Sequence, residues 1–372
     1  MPEIGEHMKT YKLLTPGPLT TTDSVKQEML FDHCTWDDEY KEITQRIRKD
    51  LLTLAHVNDE EYTTVLMQGS GTFGVESVIS SVIPKDGVLL LLSNGEYGNR
   101  IAKMCEYHNI QCIHITQDFD KTPDAIKAKE ALDVHPEITH IAMIHSETTS
   151  GILNDIHAIG KLAHEYNKTF IVDAMSSFGG VDIHMKEEHI DYLVSSANKC
   201  IQGVPGFSFI LANKENLLQS KGNARSLSLD LYDQWVGMNK DGKWRYTSPT
   251  HVVLAFAKAM KELEDEGGIE KRCQRYYNNM NTLIDAFSRL GFRPYVAKEY
   301  QGPIITTFLY PEGKTFDFNR MYTYIKDRGY AIYPGKLTDV ETFRIGTIGE
   351  IYEEDIHELT RIMSDYMKLV EN

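Results

Sequence analysis

Lys199 and Asp173 are the two residues whose types and spacing suit a single chemistry. Lys199 closes the run Tyr192-Leu193-Val194-Ser195-Ser196-Ala197-Asn198-Lys199, and Asp173 closes the run Thr169-Phe170-Ile171-Val172-Asp173, 26 residues upstream. A lysine amine condenses with an aldehyde to a Schiff base, and a carboxylate beside a ring nitrogen keeps that nitrogen protonated, so the ring acts as an electron sink. The pair therefore suits pyridoxal phosphate. Each residue also has a plainer reading: Asp173 as a helix N-cap or metal ligand, Lys199 as a surface lysine. No second carboxylate or histidine stands at ligand spacing from Asp173, so no metal is expected. Lys199 follows small, uncharged residues and precedes the glycine-rich turn Gln202-Gly203-Val204-Pro205-Gly206, which argues that its amine points into a pocket.

Four flanking segments extend the pattern. Gly69-Ser70-Gly71-Thr72 lies between an apolar run and a helical pattern, where free amides and two hydroxyls make a phosphate cradle. It lacks the lysine of a P-loop and the later acidic residue of a dinucleotide motif, and it is equally a tight turn with Ser70 or Thr72 as N-cap. Tyr97, in Asn94–Arg100, can lay its ring over a flat cofactor or sit at the surface as a helix begins. The polar stretch His145–Gly151 offers hydroxyls to a cofactor's phenolic oxygen, or is an ordinary turn rich in Ser and Thr. Arg344, within Thr342–Gly346, can clamp a carboxylate or phosphonate with its fork, or form a salt bridge at a strand edge.

These residues need a scaffold of strands and helices. Apolar runs near 65–67, 88–92, 139–144, 169–172, 192–195 and 207–211 alternate with amphipathic stretches such as 155–166, and Phe73, Val75, Val78, Ile79 and Val82 share a face after the Gly69–Thr72 loop. That is an α/β domain with a mostly parallel, doubly covered sheet and ligands at the strands' carboxyl ends. Two long helices are expected over 249–290, divided at Gly267-Gly268. An α+β unit follows, with strands near 304–309, 330–333 and 342–345 and helices over 316–328 and 352–370. The domains are expected to be 1–268, an N-terminal arm with the large domain, and 269–372. With 41% hydrophobic and 25% charged residues the chain is an ordinary globular one. Its net charge of −15 argues against nonspecific nucleic-acid or acidic-membrane binding. No apolar run is long enough to span a bilayer and no signal-peptide core opens the chain. Five scattered cysteines without a C-x-x-C pair read as cytoplasmic thiols.

Taken together, the segments resemble the class V aminotransferases of PLP fold type I. The resemblance runs over nearly the whole chain, from Thr15-Pro16-Gly17-Pro18 through Gly69–Thr72, Asn94–Arg100, His145–Gly151, Asp173 and Lys199 to Phe343–Gly346. It implies a large α/β domain with a mostly parallel seven-stranded sheet between helices, a smaller α+β C-terminal domain, and a pyridoxal 5'-phosphate enzyme. Lys199 is then the Schiff-base lysine and proton shuttle, and Asp173 the partner of the pyridine nitrogen. Ser70, Gly71 and Thr72 hold the phosphate, Tyr97 stacks on the ring, Thr148 lies near the phenolic oxygen, and Arg344 grips the substrate carboxylate. Thr247 reaches the phosphate of a neighbouring subunit, which implies a homodimer with shared sites. Ser226–Trp235, Arg245–His251 and Gly179-Gly180-Val181-Asp182 are most similar to class members that move an amino group from 2-aminoethylphosphonate to pyruvate. Alanine–glyoxylate or serine–pyruvate transamination, or a non-catalytic scaffold or sensor on the same fold, are the alternatives. Lys221, Arg225, Lys243, Arg245 and Lys336 are cations that can help hold a phosphonate. Asn198 stands where related desulfurases have His, and no cysteine follows Cys273, so persulfide chemistry is not expected.

Overall fold

A computed structural model describes residues 10–311, 316–335, 337 and 340–371 of the chain. Seven strands form its large sheet: β1 (Tyr62–Gln68), β2 (Val88–Ser93), β3 (Gln111–Thr116), β4 (Ile138–Ile144), β5 (Thr169–Asp173), β6 (Tyr192–Ser196) and β7 (Phe207–Asn213). Their spatial order is β1-β7-β6-β5-β4-β2-β3. β7 is antiparallel to both neighbours, and the remaining pairs are parallel. Helices α1 (Asp38–Leu54), α2 (Gly71–Val82), α3 (Glu96–Tyr107) and α4 (Ile156–Glu165) accompany these strands. Strands β2 and β6 are buried along their whole length. Such burial explains their unbroken apolar runs, because a strand covered on both faces has no polar side to alternate with.

Strand β3 is not among the apolar runs of the sequence. It is the sheet's edge, half its residues are exposed, and Gln111, His114 and Thr116 break the apolar signal. Phe73 is a second difference: the helical spacing placed it in the core, yet it is half exposed and lies over Gly69.

Beyond α5 (Leu231–Asp241), helices α6 (Thr250–Glu266) and α7 (Gly268–Arg289) meet at Gly267 and Gly268, with φ of +105° and +79°. Those left-handed values suit glycine and let one long helix turn directly into the next. The C-terminal unit is an antiparallel sheet of β8 (Arg293–Pro294), β9 (Ile305–Leu309), β10 (Tyr333–Pro334) and β11 (Thr342–Gly346), in the order β8-β9-β11-β10. It is closed by α8 (Phe318–Lys326) and α9 (Glu353–Glu371). The expected strand 330–333 is two strands: Tyr330–Ala331 pairs with Lys12–Leu13, and only Tyr333–Pro334 joins β11. One apolar core gathers residues from Val25 to Ile269, and a second gathers Leu14 with residues from Leu283 to Met367. The N-terminal arm is thus anchored in the C-terminal unit before it crosses to the large sheet.

Candidate functional site

The carboxyl ends of β2, β5 and β6 converge where the parallel part of the sheet opens. The register sets Ile144 beside Asp173, and Asp173 beside Val194. The turn after β6 swings Lys199 over that edge. A cavity of about 190 Å³ there is lined by Ser70, Gly71, Thr72, Tyr97, Asp173 and Lys199, together with Arg100, Met175, Ser196 and Asn198.

Asp173 is buried, and its Oδ1 accepts the Met175 amide at 2.9 Å. Burial raises its pKa to about 7, with the Met175 amide pulling down and the charge of Glu147 pushing up. A carboxyl so placed ionises readily only when a cation faces it, and a protonated ring nitrogen is such a cation. The Lys199 Nζ donates to the carbonyls of Pro16 at 2.9 Å and Gly17 at 3.3 Å. The arm that is anchored in the C-terminal unit at Leu14 thus reaches the lysine that lines the cavity. A Cβ at Gly17 would lie 2.9 Å from Nζ, so that position has no room for a side chain against the lysine.

Ser70 is the N-cap residue of α2, but its side chain makes no capping bond; its carbonyl accepts the amides of Phe73 and Gly74. The start of the helix faces the cavity, as an anion cradle requires. A Cβ at Gly71 would run into the Met175 thioether, so a side chain here would have to push that flexible methionine aside at the cavity wall. Arg100 closes the Asn94–Arg100 motif and has a role that its residue type alone does not reveal. It lies one turn beyond Tyr97 on α3, donates to Thr72 Oγ1 at 3.1 Å, and sets its guanidinium 5.0 Å from the Tyr97 ring centre. Its spacing of three from Tyr97 was the available signal.

Three expected residues do not line the cavity. Thr148 is buried behind it and acts through its carbonyl, which accepts Arg344 Nη1 at 2.8 Å. Arg344 also donates from Nε to the Pro334 carbonyl at 2.9 Å. It is 3% exposed on β11, an interior strand, so it is no strand-edge arginine, and burial lowers its pKa. Thr247 is exposed between α5 and α6, outside its own chain's cavity. The amides of Glu96 and Tyr97 bond Thr149 Oγ1 at 3.1 Å and Glu147 Oε2 at 3.3 Å, so the His145–Gly151 stretch orients α3.

The additional cations are engaged elsewhere. Arg225 binds the carbonyls of Ser80, Ile83 and Pro84, Arg245 pairs with Asp233 at 2.9 Å, Lys243 pairs with Asp241 at 3.1 Å, and Lys221 sits over the Tyr232 ring. None lines the cavity of its own chain. Lys336 lies outside the described residues.

An amine, a buried carboxylate and an anion cradle on one sheet edge fit pyridoxal phosphate, and the chain belongs to the class V aminotransferase family, whose model matches residues 33–338. Over 365 residues the chain is 55% identical to a 2-aminoethylphosphonate–pyruvate transaminase of Lysinibacillus sphaericus, covering 98% of this chain and all of that one. It is equally identical over 351 residues to the Bacillus cereus protein of the same name, covering 94% of this chain and 96% of that one. Among solved structures, an alanine–glyoxylate aminotransferase from Nostoc superposes with a TM-score of 0.90 at 22% identity, over all of this chain and 98% of the other. A pyridoxamine–pyruvate aminotransferase from Mesorhizobium loti superposes at 0.89 and 21% identity, over 99% and 95%. These two likenesses bear on the fold alone.

Proposed function

We propose that the chain transfers the amino group of 2-aminoethylphosphonate to pyruvate, giving phosphonoacetaldehyde and L-alanine. The observation that carries this is the meeting of Lys199, Asp173 and the Ser70–Thr72 cradle in one cavity, in a chain 55% identical over nearly its full length to transaminases of that name. When bound, pyridoxal phosphate supplies the electron sink and carries the amino group between the two half-reactions. Asp173 would accept from its ring nitrogen and keep that nitrogen protonated. The start of α2, Ser70 and Thr72 would hold its phosphate with help from Arg100, and Tyr97 would cover its ring. The Lys199 amine would take a proton from the donor carbon that bears nitrogen and pass it to the cofactor within that half-reaction, and in the pyruvate half would give one to the α-carbon of the alanine that forms. Thr148 would be the residue nearest the phenolic oxygen, and Arg344, oriented by the Thr148 and Pro334 carbonyls, would bind the anionic end of each substrate in turn.

The reading includes a homodimer in which Thr247 serves the partner's phosphate. Supporting it, Phe73, Leu227 and Tyr246 expose apolar surface, and Phe73 and Tyr246 share a cavity of about 350 Å³ with Ser228 and Leu229. Such surface marks interfaces when it is contiguous. It also keeps the two domains at 1–268 and 269–372. Among the described residues no helix is long and apolar enough to cross a membrane, and the reading places the enzyme in the cytoplasm.

The test is kcat/KM for 2-aminoethylphosphonate, L-serine and glycine with pyruvate as acceptor, scored as alanine. A pocket built for a doubly charged phosphonate favours the first donor well above the other two, since unmatched buried charge is costly. A higher value for serine or glycine would refute the donor assignment, and no turnover with any donor would refute catalysis.

A further inference from the structure

The stretch Gly179-Gly180-Val181-Asp182 has no part in the cavity around Lys199, yet its last residue sits in a cluster of its own. Asp182 Oδ1 lies 2.7 Å from His56 Nε2, and Oδ2 lies 3.1 Å from His184 Nε2. The two imidazoles stack, with centres 3.7 Å apart and planes 8° from parallel. One potential ligand atom from each residue falls within 4.8 Å of the others. The three side chains are between two-fifths and one-half exposed, which leaves an approach from solvent.

The backbone holds the cluster from both sides. His56 follows the end of α1 with φ of +57°, and its amide bonds the Thr53 carbonyl at 3.1 Å. The Met185 amide bonds the Ala55 carbonyl at 3.2 Å, which ties the two loops together. Lys186, the nearest lysine in sequence, is drawn to Glu61 at 2.7 Å, and so its charge is matched outside the cluster. Glu187 Oε2 stands 3.6 Å from His184 Nδ1. That distance is beyond hydrogen-bond reach, so Glu187 adds only nearby negative charge, while both Nε2 atoms carry the protons that meet the acceptor-only Asp182 carboxylate and that a bound cation would displace.

We propose that His56, Asp182 and His184 form a surface site for a borderline first-row divalent cation such as zinc. His56 Nε2, His184 Nε2 and one Asp182 oxygen are the protein ligands once the two imidazoles rotate out of their stack so that their lone pairs converge, and water takes the fourth position. Two imidazoles and one carboxylate suit zinc in tetrahedral geometry, with bonds of about 2.0–2.2 Å. Magnesium and calcium, which take oxygen ligands, do not match the set. A Nε2 separated by 126 residues from its carboxylate partner is invisible to any spacing motif; only Asp182-x-His184 is local.

The test is calorimetric titration of the cofactor-loaded protein with ZnCl2, and with MgCl2 as the contrasting ion, repeated on His56→Ala, His184→Ala and Asp182→Asn. The expected result is one equivalent of zinc on the wild type and no magnesium uptake. Each variant loses at least about a hundredfold in affinity, at or beyond the most that loss of an outer partner of a metal costs. The exposed thiol of Cys34 is common to all four proteins, so zinc held there cancels in the comparison. Unchanged thermal melting without zinc shows that the variants fold. A wild type that takes up no zinc, or histidine variants that bind it as tightly as the wild type, would overturn the site.

Discussion

Replacing Asp173 with Asn is expected to stabilise the cofactor-free protein while disabling the enzyme. The folded carboxyl ionises near pH 7 against a reference of 3.8, chiefly because it is buried. Between those values the folded state holds a proton that the unfolded state has released. Stability therefore falls as pH rises through this window, by about 1.4 kcal/mol per unit and about 4 kcal/mol in all. Asn carries no charge at any pH and still accepts the Met175 amide through its carbonyl oxygen. Cofactor-free Asp173→Asn should thus exceed the wild type by about 4 kcal/mol above pH 7, with the gap narrowing steadily toward pH 5. Urea unfolding of both cofactor-free proteins from pH 5 to 8.5 measures it. With pyridoxal phosphate bound the order should reverse, because the wild-type carboxylate then faces a cation, and single-turnover rates of the variant should fall severely. A cofactor-free variant no more stable than the wild type at pH 8, or a gap that does not grow with pH, would refute the account of Asp173 as a buried charge awaiting a cation.

Two further substitutions test the anion contacts. Arg344→Ala should lower kcat/KM for pyruvate by roughly ten- to a hundredfold, from loss of about 1.5–3 kcal/mol in a charged hydrogen bond, with cofactor affinity little changed. An equal loss of cofactor affinity would make its bonds to Thr148 and Pro334 merely structural. Arg100→Ala removes the guanidinium that meets Thr72 and Tyr97, and should weaken pyridoxal phosphate retention by about tenfold, read as cofactor loss on dialysis, whereas unaltered retention would exclude Arg100 from the cradle.

Local sequence determined a good deal about this protein. Strands covered on both faces must be apolar throughout, so β2, β4, β5, β6 and β7 stood out as runs, and the residues that end β5 and follow β6 marked Asp173 and Lys199 as chemistry. Gly267-Gly268 located the break between α6 and α7 because only glycine settles comfortably in their left-handed angles. Tertiary structure decided the rest, wherever a partner distant in the chain sets the role. Edge strand β3 borrows its place from β2, and its polar face hid it from a search for apolar runs. The amine of Lys199 meets the arm carbonyls of Pro16 and Gly17, some 180 residues earlier, because that arm is first anchored against Tyr330–Ala331. Arg344 is held by the Thr148 carbonyl 196 residues away, and His56 meets Asp182 across 126. Side-chain type and strand pattern are local properties of the chain. Which carbonyl a guanidinium finds, or which imidazole shares a carboxylate, depends on how the elements pack.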